Sequence, residues 1–550
     1  MESDNMVTVL QHCQVSPPPG TTSEKSLPPT FFDLRMVDSS TKHLFFFECT
    51  SISKNHFLES IIPSLKHSLS LSLKYYYPFA GNLIFPPNSG KPEIRYLERD
   101  SASLIFAESS SDFIHLTGKQ TRNTTEFLSL LPQLPPESMS HDTLVVPISS
   151  FQVTLFPDSG ICVGFHLRHA IGDGNSVVKS FFKTWASITK AGGDATFLSG
   201  EFVPYYDRTR FRDPEGLEFE TIVWNDLEKI TKEEWSRPHH PKPNNKVRAT
   251  FVISHATAQQ LKKLVLGRYP FPSHISTFTV TCGYVWSCLA KARAACGKDD
   301  DEMVHFLTEV DWRTRLDPPL PATYFGNCVL PSLACAKTAQ LKGSDGFVFG
   351  AKSIGDAIHK SLHHTGVSKT IKNLARQLAA ASKGWLLESF SSPKFKMYDI
   401  DFGWGRLKTN EELSIDDCEA IAVGDGQNEG ETEIIVSNPK PIMDAFVSIF
   451  SLGLQTLDEK VKKLGANNFI RTSTESATEA DNNLDSGRSK ACEAITLAAC
   501  VLVVGSWLMG EHANAVAAVL GAVIGSSTIS YMGKKMARTW DNKSSSYAGS

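Results

Sequence analysis

The stretch Ile161-Cys162-Val163-Gly164-Phe165-His166-Leu167-Arg168, running into His169-Ala170-Ile171-Gly172-Asp173-Gly174, carries the first decision about the fold. Asp158-Ser159-Gly160 ahead of it is a turn signal. Ile161, Val163, Phe165 and Leu167 then alternate with Cys162, Gly164, His166 and Arg168, the period of a strand. After Gly174 the apolar residues Val177, Val178, Phe181, Phe182, Trp185 and Ile188 fall at helical spacing. His169 therefore stands where a strand hands over to a helix, a junction at which rigid elements hold a loop in place.

The same alternation extends backwards. Phe45-Phe46-Phe47 reads as a buried strand, and Phe57 to Leu73 as a helix whose apolar face carries Leu58, Ile61, Ile62, Leu65 and Leu69. Residues 1 to about 30 are polar and Pro-rich. Residues 191–246 are rich in Gly, Pro and charge and read as a crossover. A second mixed region follows, with helices expected at 256–266 and 277–293 and strands at 303–310 and 433–437. The class is α/β, organised as domains at 1–190 and 247–465 joined by the crossover.

The tail differs. Residues 466–493 read as a polar linker. Residues 494–533 hold two apolar stretches separated by Gly510-Glu511-His512, an apolar helical hairpin, and 534–550 form a polar tail. Arg488 and Lys490 before the hairpin, and Lys534, Lys535 and Arg538 after it, suit a membrane anchor with both ends cytosolic. Each stretch is near the lower limit of the roughly 17–25 residues that span a bilayer. A soluble helical pair, or a segment fused through a mispredicted coding sequence, are the alternatives.

Composition excludes several classes. The 550 residues carry a net charge of −4 without a basic stripe, which gives no argument for nucleic acid. Met1-Glu2-Ser3-Asp4-Asn5-Met6 has no basic region ahead of an apolar run and does not read as a secretory signal. The 11 Cys are scattered without a Cys-x-x-Cys pair, as reduced thiols of a cytoplasmic protein would be.

A neutral imidazole is the usual general base for a hydroxyl, provided one ring nitrogen faces the substrate and the other is fixed. His169 is the candidate. Gly172 and Gly174 leave the backbone path clear of side chains. Asp173 either orients His169 or ties the loop down, for instance against an arginine from another element. The second role is favoured, because Asp173 lies too close in sequence to hold the ring unless the loop folds back. A serine hydrolase is not supported, since no Gly-x-Ser-x-Gly elbow is present. Nor is a metal: His166 and His169 fall on opposite faces of a strand, and no third ligand is evident. With 17 His in the chain, the His-x-x-x-Asp spacing alone is close to chance.

Asp401-Phe402-Gly403-Trp404-Gly405 is far more specific. Together with His169-x-x-x-Asp173-Gly174 it resembles the plant BAHD acyl-CoA-dependent acyltransferases, over about residues 5 to 465. Leu27-Pro28-Pro29-Thr30-Phe31-Phe32-Asp33-Leu34, Tyr76-Tyr77-Pro78-Phe79-Ala80-Gly81-Asn82-Leu83 and Asp311-Trp312-Arg313 through Pro319 are similar to the same family. Tyr324-Phe325-Gly326-Asn327-Cys328, and the crossover run Tyr206-Asp207-Arg208-Thr209, resemble its clade acting on anthocyanins, flavonoids and other phenolic glucosides.

The resemblance implies two chloramphenicol-acetyltransferase-like domains with a solvent channel between them and His169 at its middle. It implies transfer of a malonyl or hydroxycinnamoyl group from acyl-CoA to a sugar hydroxyl of a phenolic glycoside, by a monomer that holds no bound cofactor and no metal. Asp401 is then structural, paired with an arginine, or a second proton acceptor. Ser276 and Thr277, at a helix start, align with a region that contacts CoA in the family; an ordinary N-cap is the plainer reading. Arg168 stands where many relatives carry His. Two other readings compete. A peptide-synthetase condensation domain shares the His-x-x-x-Asp-Gly pattern but not Asp-Phe-Gly-Trp-Gly. A membrane-tethered binding protein with an inactive acyltransferase fold would keep both.

Overall fold

The strand that leads to His169 runs from Gly160 to Arg168 in the middle of a six-stranded mixed sheet. A computed structural model describes residues 6–86, 92–140, 142–198, 203–209, 245–270, 272–298, 303–363, 381 and 384–462. Most of the crossover, the 466–493 linker, the 494–533 hairpin and the 534–550 tail lie outside the described residues. Among the described residues no helix is long and apolar enough to cross a membrane.

The sheet order is Val7–Val15, Ala102–Ser109, Ser149–Phe156, Gly160–Arg168, Ser40–Glu48 and Leu407–Glu412. Ser149–Phe156 pairs parallel with Ala102–Ser109, and the other neighbours are antiparallel. All nine residues of Gly160–Arg168 are buried, so both faces of this strand are covered. Ile161, Val163, Phe165 and Leu167 join the main core, while Cys162 packs with Leu44, Phe46, Phe113 and Phe127 on the other face. Gly164 is needed there: a Cβ would sit 2.5 Å from the Leu130 carbonyl. Phe45, Phe46 and Phe47 are fully buried in the neighbouring strand, as their run predicts.

The helix expected over Phe57–Leu73 opens with a wide π turn, Phe57–Ile61, before the α-helix Ile62–Tyr75. Leu58 is 40% exposed, and the turn brings Phe57 to the core in its stead. The segment after Gly174 forms a π-type stretch, Asn175–Phe182, and a helix, Lys183–Lys190, with all six predicted apolar residues buried.

The second large sheet runs Val329–Lys337, Met303–Asp311, Leu386–Phe390, Ala420–Asp425, Thr432–Pro439, Lys246–Ile253 and Arg122–Asn123. Helices His255–Arg268, Thr277–Ala295, Gly346–His363 and Lys440–Gln455 contribute to its core. The two sheets exchange strands. Arg122–Asn123, from the first half, extends the second sheet, and Leu407–Glu412, from the second half, extends the first.

Buried charges pin the exchange. Arg122 donates to Glu411 at 2.7 Å, and Arg248 donates to Glu411 at 3.0 Å and to Asp416 at 2.8 Å. Residues 1–464 thus make one compact unit.

Candidate active site

His169 begins a single 3-10 turn, His169–Ile171, directly after the strand. Its backbone N–H donates to the Ser39 carbonyl at 2.8 Å, which holds it against the start of the strand Ser40–Glu48. The ring is half-buried, and its Nδ1 lies 3.1 Å from Asn327 Oδ1. Asn327 is fully buried, and its Nδ2 donates to the His169 carbonyl at 2.9 Å and to Asp33 Oδ1 at 3.0 Å. Both amide hydrogens are thereby committed. Oδ1 faces the ring as an acceptor, an arrangement that suits a proton on Nδ1 and a lone pair on Nε2.

Asp173 is turned away from the imidazole. It is 4% exposed and forms a bidentate pair with Arg313, both bonds 2.8 Å. The N–H groups of Ser176 and Cys328 donate to it at 3.2 and 3.0 Å. Burial by itself would lower the basicity of Arg313, but the Asp173 carboxylate, with Asp311 behind it, outweighs that and holds the guanidinium above its ordinary range. Arg313 also donates to the Gly326 carbonyl at 3.1 Å, and Ser176 Oγ donates to the same carbonyl at 2.9 Å. The loop after His169 is thus bolted to the Tyr324–Cys328 segment. Gly174 lies under the Phe395 ring, which occupies the place a Cβ would take.

The crossover reaches this segment too. Tyr205 bridges Tyr324, and Arg208 donates to Asp33 Oδ2 at 2.5 Å. Arg168, the departure next to His169, is buried with a 2.5 Å bond to Glu137. Burial lowers its basicity, and Glu137 and Asp38 oppose that.

Asp401 lies elsewhere. Phe402 is 1% exposed and meets Trp185 edge-on at 5.3 Å and Phe47 at 5.5 Å, while Trp404 stacks on Phe402 at 4.9 Å. Phe47 is at the far end of Ser40–Glu48 from Ser39, about 25 Å away at ~3.3 Å per residue. Gly403 and Gly405 have φ of +91° and +128°, conformations that suit glycine. Asp401 caps this turn by accepting from Gly403 N at 2.8 Å and pairs with Lys190 at 2.6 Å, a lysine rather than the expected arginine. Both partners are exposed at their side chains, 39% and 58%.

Ser276 is the N-cap of Thr277–Ala295. Its Oγ accepts from Thr279 N at 3.2 Å, and Thr279 Oγ1 accepts from Ser276 N at 2.9 Å. Thr277 opens the helix and is half-buried. Two residues before this cap, burial and then the charges of His359, Lys394, Arg315 and His363 push His274 below its ordinary value.

Two clefts, of about 270 and 230 Å³, lie at the small sheet built on Asn82–Phe85, and His169 lines neither. Asn327, Arg313 and Arg208 were visible in the sequence only as members of longer runs. Asp33 likewise appeared only within the Leu27–Leu34 run, and Ser176 gave no signal of a role.

The fold is shared with solved structures. It superposes on vinorine synthase with a TM-score of 0.60 at 18% identity, over 81% of this chain and 98% of that one. It superposes on F. graminearum TRI101, solved with ethyl coenzyme A, with a TM-score of 0.55 at 14% identity, over 76% and 96%. Residues 5–452 match the Transferase family.

The chain is 39% identical to phenolic glucoside malonyltransferase 1 of Nicotiana tabacum, over 82% of this chain and all of that protein. It is 37% identical to a malonyl-coenzyme A:anthocyanin 3-O-glucoside-6''-O-malonyltransferase of Dahlia pinnata, over 83% and 99%. It is 32% identical to a coumaroyl-CoA:anthocyanidin 3-O-glucoside-6''-O-coumaroyltransferase of Arabidopsis thaliana, over 81% and 97%. The chain belongs to the BAHD acyltransferase family, and is an enzyme that transfers acyl groups other than amino-acyl groups.

Proposed function

We propose that this chain transfers a malonyl or hydroxycinnamoyl group from acyl-CoA to a sugar hydroxyl of an anthocyanin, flavonoid or other phenolic glycoside, with His169 as general base. The observation that carries the proposal is the Asn327 amide, which holds Nδ1 of His169 and leaves Nε2 to accept a proton. The names of the tobacco, dahlia and Arabidopsis relatives support the substrate classes.

Nε2 takes the proton of the acceptor hydroxyl as its oxygen attacks the thioester carbonyl. The tetrahedral oxyanion then collapses, the C–S bond breaks, and the imidazolium returns its proton to the departing CoA thiolate. No net proton or electron is exchanged with solvent. In this reading Asp173 shapes the loop and Asp401 braces a distant turn. The CoA phosphates lie toward Ser276 and Thr277, where Lys394 and Arg315, whose charges reach His274, favour an anion.

A donor-by-acceptor screen tests this: malonyl-, coumaroyl-, caffeoyl- and acetyl-CoA against phenolic glucosides, read by product mass. His169→Ala should lower turnover by about 10²–10⁴ with the fold intact. No transfer by the wild type from any donor would favour the binding-protein reading. Undiminished transfer by His169→Ala would remove His169 from the chemistry.

A further inference from the structure

We infer that Asp33 is a positioning residue for the acyl transfer: acting through Asn327, it selects which nitrogen of His169 carries the proton. The inference rests on His169 being the base.

An asparagine amide can present either end to a neighbour. With Oδ1 toward His169, Nδ1 must donate and Nε2 is free to accept. With Nδ2 toward His169, Nδ1 must accept, the proton moves to Nε2, and the base faces its substrate already protonated. His169 cannot make this choice, because its Nδ1 suits either end. The choice is made on the other side of Asn327. There Asp33 Oδ1 accepts from both the backbone N–H and Nδ2 of Asn327, each at 3.0 Å. The His169 carbonyl, also acceptor-only, takes the second Nδ2 hydrogen at 2.9 Å. A flipped amide would set Oδ1 against two acceptors, inside a site where Asn327 and Asp33 are both fully buried.

Asp33 is itself held as an acceptor. Its Oδ2 receives Thr30 N and Thr30 Oγ1 at 2.8 Å and Arg208 at 2.5 Å. Burial would lower the basicity of Arg208, but Asp33 raises it above its ordinary value, so the cation stays on the carboxylate. Five donors thus converge on two oxygens. An amide at position 33 could not accept them all, because its own NH₂ would face donors on one side or the other. Asp33 belongs to the short turn Phe31–Leu34, and Arg208 to the crossover. The tautomer of the base is therefore set by segments remote from it in the chain.

The test uses the full chain labelled with ¹⁵N-histidine, the His169 signals being assigned by their loss in His169→Ala. In the wild type the neutral ring should show a protonated, pyrrole-type Nδ1 and a pyridine-type Nε2; the reverse pattern, or an averaged pair, overturns the inference. Asp33→Asn should move the proton toward Nε2 and lower kcat tenfold or more, leaving KM for acyl-CoA within about twofold. In Asp33→Asn/Asn327→Ala the loss should not exceed that of Asn327→Ala alone, because one residue acts through the other. Asp33→Asn that loses activity with the wild-type tautomer, or losses that multiply in the double variant, would make Asp33 merely structural.

If Asp33→Asn does not fold, Asn327→Ala still decides: retention of the wild-type tautomer there sinks the inference. A wild type that transfers no acyl group would instead defeat the assigned function, while the spectrum would still report on the tautomer.

Discussion

The two ends of the strand Ser40–Glu48 hold the two motif loops, and they treat an aspartate in opposite ways. At the Ser39 end, Asp173, four residues after His169, is 4% exposed and meets Arg313 in a bidentate pair. At the Phe47 end, Asp401 meets Lys190 near the surface, and it is Phe402, not the carboxylate, that is buried. A buried ion pair is held by geometry and punishes the loss of one partner; an exposed pair is replaced by water at little cost. The first loop is organised by charge beside His169, the proposed base. The second is organised by aromatic packing and two left-handed glycines, just before the chain passes as Leu407–Glu412 into the other half's sheet.

Breaking the first loop should have the largest effect. Asp173→Ala leaves Arg313 buried without its bidentate partner, with the 3.2 Å contact to Asp311 as its remaining ion pair. Arg313→Met leaves Asp173 buried without its cation. Each should cost about 3–5 kcal/mol in urea unfolding, and the double variant less than the sum. Turnover should fall with them, because the same bonds anchor Gly326 and hence Asn327. A cost below about 1 kcal/mol for either single variant would show that the pair does not hold the loop.

This contrast was only partly legible in the sequence. Period-2 and period-3.6 patterns located the strand before His169 and the helix after it, because local burial writes those periods directly. The pattern did not tell that both faces of that strand are covered: Cys162 packs with Phe113 and Phe127, and Gly164 and His166 are buried on the same face. It also misplaced Leu58, since a π turn shifts which residue points inward. Asn327, Arg313, Asp33 and Arg208 escaped for another reason. They converge on the loop from distant parts of the chain, and no short spacing records a contact of that range. For Asp401 the expectation of a charged partner matched the chemistry but not the residue type, as Lys190 follows from where one helix ends.

The second loop should yield through its rings. Phe402→Leu keeps an apolar side chain but gives up edge contacts with Trp185 and Phe47, and should cost about 1–2 kcal/mol in thermal unfolding. Activity per folded molecule should be unchanged, since the turn is about 25 Å along the strand from His169. A fall in kcat without a fall in stability would bring this loop into the chemistry and erase the contrast.

Asp401→Asn should be the mildest change, and its pH and salt dependence is the finest measure of the difference. Burial nudges the Asp401 carboxyl upward, but Lys190 and the Gly403 N–H outweigh that and hold it below its ordinary 3.8. A depressed carboxyl stabilises the fold above its unfolded value and ceases to do so as pH falls through the folded one. The wild type should therefore exceed Asp401→Asn by less than about 1 kcal/mol at neutral pH. That margin should close as pH drops from about 3.8 downward, and shrink in 1 M salt, where the Debye length is about 3 Å. The deficit of Asp173→Ala should persist in the same salt, because its pair is shielded from solvent. A salt-insensitive Asp401 deficit of several kcal/mol would mean that both carboxylates act as buried anchors.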